Sequence, residues 1–217
     1  MPTPSPIRLL VLGCGSIGER HIRCLTRCGG VEITACDPRR ERLEAMRELY
    51  GVAGTLADYE DVDLSAFHAV WVCTPTDQHI SQALRAAEAG CHLFVEKPIS
   101  TTLEGVEALI SLCRQRGLVL QVGYVLRHHP LLQEVERALR SNTIGRVYMA
   151  LIKCGAFIGK ARPDYSRLYW AHAATGGGVL FNASHELDYI QWLLGPVSSV
   201  MAQTEHYRLD VDADVED

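Results

Sequence analysis

The eight cysteines of this chain include no C-x-x-C pair, which removes the usual spacing of a zinc or dithiol-redox site. Several stand inside apolar runs, such as Cys36 at the end of Val31–Cys36 and Cys73 after Val70-Trp71-Val72, where a thiol packs as a small hydrophobe. Free thiols in a reducing cytoplasm are therefore expected, rather than a disulfide framework. No block of like charge is present. The net charge is -5, and basic residues are interleaved with acidic ones, as in Arg39-Arg40-Glu41-Arg42. That balance argues against a nucleic-acid or membrane-surface partner. No apolar stretch is long enough to cross a bilayer, and Met1 to Pro6 lacks the positive flank of a signal peptide. There is no internal repeat and no low-complexity segment. What remains is a soluble, cytoplasmic chain of 217 residues, enough for one large domain or two small ones.

What the chain does have is an alternation. Ile7–Leu12 is a short apolar run ending at Gly13, and a helical pattern follows from Ser16 to Arg27. Strand-like runs at Val31–Cys36, Ala69–Cys73, Leu93–Val95 and Leu118–Val122 then alternate with helical patterns at 39–50, 78–89 and 103–116. This βαβ rhythm predicts an α/β domain, a parallel sheet covered on both faces, over residues 1–123. From Tyr124 the rhythm changes. Helices are expected at 130–140 and 185–194, strands at 147–157 and 196–208, and an acidic tail from Asp210 to Asp217. Residues 124–217 thus read as an incomplete second, α+β domain built on a sheet.

Gly13-Cys14-Gly15-Ser16-Ile17-Gly18 is a G-x-G-x-x-G that follows a strand and opens a helix. In that setting Gly13 permits a tight turn, Gly15 lets the backbone approach a pyrophosphate, and Gly18 allows close helix–strand packing. The phosphates would rest on the helix N-terminus at Ser16 and Ile17. The pattern alone is weak, but Asp37 closes the second strand ~20 residues on, where a ribose hydroxyl acceptor is needed. A carboxylate there favours NAD; Arg39, with Arg40 beside it, leaves NADP open. Thr74, Pro75 and His79 follow the strand 69–73, and Glu96-Lys97-Pro98 follows the next, both at strand ends that line the crevice of such sheets. His79 reads equally well as a plain first-turn residue. Lys97 could polarise a substrate oxygen, or lie in a surface turn, and Lys-Pro invites a cis peptide.

Taken together, Gly13–Gly18, Thr74-Pro75 with His79, Glu96-Lys97-Pro98 and the later Gly176-Gly177-Gly178…Asn182…His185 resemble the glucose-fructose oxidoreductase/inositol dehydrogenase (Gfo/Idh/MocA) family. The resemblance implies a Rossmann domain binding NAD(P), a substrate domain, and hydride transfer with a sugar, nucleotide-sugar or cyclitol substrate. It places Lys97 and His185 at the catalytic lysine and histidine positions, with Asn182 beside them. Tyr124 and Arg127 fall where the family crosses between domains and are candidates for the substrate pocket; Asp164 and Tyr165 are weaker ones. It also implies a homo-oligomer through the C-terminal sheet where that domain is complete.

Two departures stand out. Many members carry an aspartate where this chain has Asn182, and the gap to His185 is one residue shorter than the commonest pattern. Asparagine can orient an imidazole but brings no charge, so Asp188 or Glu186 is a candidate partner for His185. Family chains also continue well past residue 217, and an incomplete sheet would leave an unpaired edge and exposed apolar surface. A dinucleotide-binding regulator without turnover, and a reductase of non-sugar carbonyls, are the rival readings. His128 and His129 suggest a metal, but no third ligand converges with them.

Overall fold

In the computed structural model the described residues are 5–155, 164–206 and 213–216. They divide into two units, 1–123 and 124–217.

The first unit is built on a six-stranded parallel sheet. In chain order its elements are β1 (Ile7–Leu12), α1 (Ser16–Cys28), β2 (Val31–Cys36), α2 (Arg40–Tyr50), β3 (Gly54–Leu56), β4 (Ala69–Val72), α3 (His79–Glu88), β5 (His92–Val95), α4 (Val106–Arg116) and β6 (Leu120–Val122). The strand order is β3-β2-β1-β4-β5-β6, with Leu12 opposite Cys36 on one side and Val72 on the other. Both margins, β3 and β6, are only three residues long. β3 escaped the sequence reading because three residues carry no periodicity.

Side chains of a strand point alternately to opposite faces, and β1 shows what that does here. Leu10 and Leu12 enter one core with Val70, Val72, Leu93, Val95, Ala83 and Leu109. Val11, between them, enters the other with Ile22, Ile33, Ala35 and Met46. Helices α3 and α4 therefore cover one face, and α1 and α2 the other. A strand segment buried on both faces must be apolar throughout, which is why Leu9–Leu12 reads as an unbroken run. Of the cysteines, Cys14, Cys36, Cys73, Cys91 and Cys113 are buried, and all eight are free.

The second unit contains α5 (Pro130–Arg140), 3-10 turns between Tyr165 and Thr175, the single helical turn α6 (Val179–Asn182) and α7 (Ser184–Leu194). The strands expected at 147–157 and 196–208 form no ladder over residues 147–155 and 196–206; 156–157 and 207–208 lie outside the described residues. A β-prone run becomes a strand only when a neighbour takes its amides and carbonyls. Here Tyr148, Met149, Leu151, Val200 and Met201 stand largely in solvent. Of the acidic tail, residues 213–216 are described, and they do not trail away. Asp214 accepts the Ala173 amide at 2.7 Å, Glu216 accepts the Leu180 amide at 2.8 Å, and Val215 is buried.

Candidate functional site

The connections on the two sides of β1 and β4 run in opposite directions, so the carboxyl ends of these strands form the switch point at which open α/β sheets bind ligands. Four sequence features converge there because each follows one of the central strands: Gly13–Gly18 after β1, Asp37 after β2, Thr74-Pro75 after β4 and Glu96-Lys97 after β5.

Each glycine of the motif has its own reason. Gly13 has φ +84°, and a Cβ on it would come within 2.7 Å of the Cys73 carbonyl oxygen. At Gly18 a Cβ would collide with the Gly13 carbonyl, so helix and turn touch only because it is glycine. Gly15 is different: a Cβ there meets nothing within 4 Å. Nothing inside the protein demands glycine at that position, and the approach to the turn is left open there. Gly15 is also the N-cap of α1 and supplies no side-chain cap, and helix geometry leaves the amides of Ser16, Ile17 and Gly18 without intrahelical acceptors. An open approach to uncapped amides fits a dinucleotide pyrophosphate.

Asp37 is only 2% exposed. Its Oδ2 accepts the Cys14 amide at 2.7 Å and Arg39 Nη2 at 2.9 Å; its Oδ1 accepts the Arg39 amide and Nε, both at 2.9 Å. Burial alone would raise the Asp37 pKa, but hydrogen bonds from the Arg39 side chain and backbone and from the Cys14 amide outweigh it and hold the carboxyl below its ordinary value. Two donors on each oxygen use the usual capacity of a carboxylate, so a further hydroxyl could bind Asp37 only by displacing one of them. Cys14, beside it, has its thiol pushed up to about 12 by burial and then by the Asp37 charge. It is a packing group and not a nucleophile.

At the end of β4, the Thr74 hydroxyl donates to Gln82 Oε1 at 2.7 Å. His79 opens α3 and is buried, with Nδ1 2.9 Å from the Pro98 carbonyl and Nε2 2.9 Å from the Thr74 carbonyl. The sequence offered His79 as a cofactor contact or a plain first-turn residue. It stands in the first turn of α3, with both ring nitrogens facing backbone carbonyls. Glu96, also offered as a cofactor contact, turns inward. It meets His21 Nε2 at 2.7 Å and accepts the Lys97 amide at 3.1 Å, and a Cβ on Gly123 would lie 3.0 Å from its Oε1. Lys97 is half-buried beside it, and the Lys97–Pro98 bond is cis. His21 and Gln82 were missed by the sequence reading. His21 is separated from Glu96 by 75 residues, and no local pattern marks such a pair.

In the second unit Asn182 closes α6 and His185 lies in the first turn of α7. The Tyr124 ring sits edge-on to the His185 ring, centroids 5.8 Å apart. Burial raises the Tyr124 pKa, so its hydroxyl stays protonated. Arg127 grips both oxygens of Asp188, Nε at 2.8 Å and Nη2 at 2.6 Å. Asp188, suggested as a charge partner for His185, is therefore committed to Arg127. Arg127 in turn has one edge of its guanidinium tied to α7. Tyr165 is a core residue whose hydroxyl donates to the Trp170 carbonyl at 3.1 Å, while Asp164 is exposed. His129 caps α5 by accepting the Leu131 amide. Among the described residues no three His, Cys, Asp or Glu side chains are gathered as a metal site.

A family model described as an oxidoreductase family with an NAD-binding Rossmann fold matches residues 7–124. The chain belongs to this Gfo/Idh/MocA family. The family's C-terminal domain model matches residues 132–217. Among Gfo/Idh/MocA relatives, the D-glucoside 3-dehydrogenase of Escherichia coli is 29% identical over 93% of this chain and 58% of its own length. The scyllo-inositol 2-dehydrogenase (NAD(+)) of Bacillus subtilis is 29% identical over 94% of this chain and 58% of its own. The WlbA dehydrogenase of Bordetella pertussis, solved with NADH and UDP-GlcNAcA, is 28% identical with a TM-score of 0.81, over 98% of this chain and 62% of its own. The chain thus spans a little over half the length of these Gfo/Idh/MocA proteins, and its first unit is the family's NAD-binding Rossmann domain.

Proposed function

We propose that this chain serves an NAD-dependent oxidoreductase acting on a hydroxyl or carbonyl of a sugar, nucleotide sugar or cyclitol. The observation that carries the proposal is the contrast at the glycine motif. Gly13 and Gly18 are required by the protein's own packing, whereas a Cβ on Gly15 would meet no protein atom, which leaves its uncapped amides open to a pyrophosphate. The substrate class rests on the relatives, whose names specify a glucoside and an inositol.

NAD, when bound, supplies the hydride chemistry. The chain's own part is to hold and to move protons. In oxidation the role assigned to His185 is to accept the proton of the substrate hydroxyl, and that assigned to Lys97 is to donate a hydrogen bond as negative charge develops on oxygen. Asn182 orients, and Tyr124 fixes the imidazole by its edge contact. Arg127 acts mainly by holding α7 through Asp188. NAD is preferred to NADP because the buried, ionised Asp37 repels a 2′-phosphate. Cytoplasmic residence and self-association through the C-terminal domain belong to the same reading. The buried free thiols support the first, and exposed Tyr148, Met149, Val200 and Met201 support the second.

Titration of the folded chain with NADH and NADPH, followed by nicotinamide fluorescence, tests the cofactor. Saturation by NADH at lower concentration is expected, and no binding of either would overturn the reading. Lys97→Ala should abolish turnover on a polyol panel while NADH still binds. One observation, the neutral Asn182 before His185, favours a regulator that binds NADH without turnover. Saturable binding with no oxidation of any polyol or sugar would select it.

A further inference from the structure

His79 has a hydrogen-bonding problem with only one full solution. It is 1% exposed, and its two ring nitrogens lie 2.9 Å from two carbonyl oxygens, those of Pro98 and Thr74. A carbonyl oxygen can only accept, and a neutral imidazole carries one N–H. A neutral ring would therefore aim a lone pair at a carbonyl in a place water does not reach, and only the imidazolium can donate to both. The two carbonyls belong to different loops. Thr74 follows β4 and leads into the Pro75 turn on the cofactor side of the switch point. Pro98 follows β5 and is bonded to Lys97. His79, at the head of α3, ties them.

The charged groups acting on the ring are Glu96 at the end of β5 and Asp77 in the turn before α3. Burial, the largest influence, pulls the His79 pKa down; the carbonyls of Thr74 and Pro98, then Glu96 and Asp77, pull against it. The net direction is downward, so the geometry and the burial cost are opposed. We give the geometry the greater weight, because a single neutral tautomer leaves one of the two 2.9 Å contacts repulsive, and buried polar groups are rarely left so.

We propose that His79 is a positioning residue whose imidazolium clamps the Thr74-Pro75 loop to the Lys97-Pro98 loop, and that loss of its ring proton opens one arm of the clamp and loosens the hold on NADH. The inference rests on the reading of the first unit as the NAD-binding unit. It adds a charge state, a pH dependence and a link between the cofactor loop and the loop carrying Lys97.

Nitrogen-15 histidine spectra of the full chain, with His79 assigned by comparison with His79→Gln, read the ring directly. NADH affinity is measured on the same samples between pH 6 and pH 8.5. The expected result is a doubly protonated His79 ring at the acid end, an NADH affinity several-fold weaker once that ring deprotonates, and a flattened pH dependence in His79→Gln. A single neutral tautomer throughout, or a pH dependence that persists unchanged in His79→Gln and so arises elsewhere, would overturn the proposal. Should His79→Gln fail to fold, selective carbon-13 labelling of the ring in the wild-type chain gives the same protonation readout. A doubly protonated ring in a chain that binds no NADH at any pH would support the clamp and count against the cofactor reading instead.

Discussion

Asp37 is a buried carboxylate whose charge is held by four hydrogen bonds from Cys14 and Arg39. Its place at the end of β2 gives a carboxylate for a ribose. The four hydrogen bonds that already hold it depend on how Arg39 folds back and how Cys14 approaches, and those are tertiary facts. They have a thermodynamic signature. A carboxyl whose pKa is depressed by folding contributes stability above its unfolded pKa, ~3.9 for aspartate. That stability is lost as pH falls through the folded value. Asp37→Asn should therefore unfold more easily at pH 7 by about 1.5–3 kcal/mol, the usual worth of a hydrogen bond to a charged group. The lower end is favoured because Arg39 is half exposed and screened. Urea titrations at a series of pH values should show the gap between wild type and variant closing below pH ~4; a gap that persists there would mean the carboxylate charge is not its source. His79 and Glu96 teach the complementary lesson. Their residue types and strand-end positions suggested ligand contacts, yet their partners are backbone carbonyls and a distant histidine, which no spacing rule records.

At the scale of elements the sequence was legible wherever a buried face imposed a period. β1, β2, β4 and α2 lie within a residue or so of where their patterns place them, because each sends side chains into one or both of the two cores. It failed at β3, too short to have a pattern, and at 147–155 and 196–206, where composition favours a strand but no ladder partner is found among the described residues. The glycine-rich turn that opens α1 allows a paired test. Gly18→Ala places a methyl group against the Gly13 carbonyl and should cost about 1–3 kcal/mol or more, as overpacking does, with NADH binding lost as α1 shifts. Gly15→Ala meets no protein atom, so thermal stability should change by no more than about 1 kcal/mol, the usual scale of an N-cap change, while NADH affinity falls at least tenfold. Equal losses of stability in the two variants would show that Gly15 too is a structural glycine. The third glycine of the later motif has a different origin again: Gly178 stands at φ +95° with the Glu216 carboxylate where its Cβ would be.

For the whole molecule, the division at residue 123 has a measurable consequence. Both apolar cores and all six strands lie within the first unit, and a unit with its own core can fold alone. Residues 1–123 produced by themselves should melt cooperatively and bind NADH within a few-fold of the full chain; a molten or non-binding fragment would show that the second unit completes the first. The second unit was less legible for the same reason, since its apolar residues are mostly exposed and no buried stripe fixes a register.

The shortness of β3 and β6 bears on what happens to this sheet when chains crowd together. A sheet recruits another polypeptide through the unpaired amides and carbonyls of its outermost strands. Here each margin offers three residues, fewer than the six or seven that stack into a lasting zipper. The 1–123 unit is thus poorly equipped to template fibrils, and after heating in isolation it should return to solution in native form. Clumping of the full chain, where it occurs, should begin instead at the apolar side chains around Tyr148, Met149 and Met201.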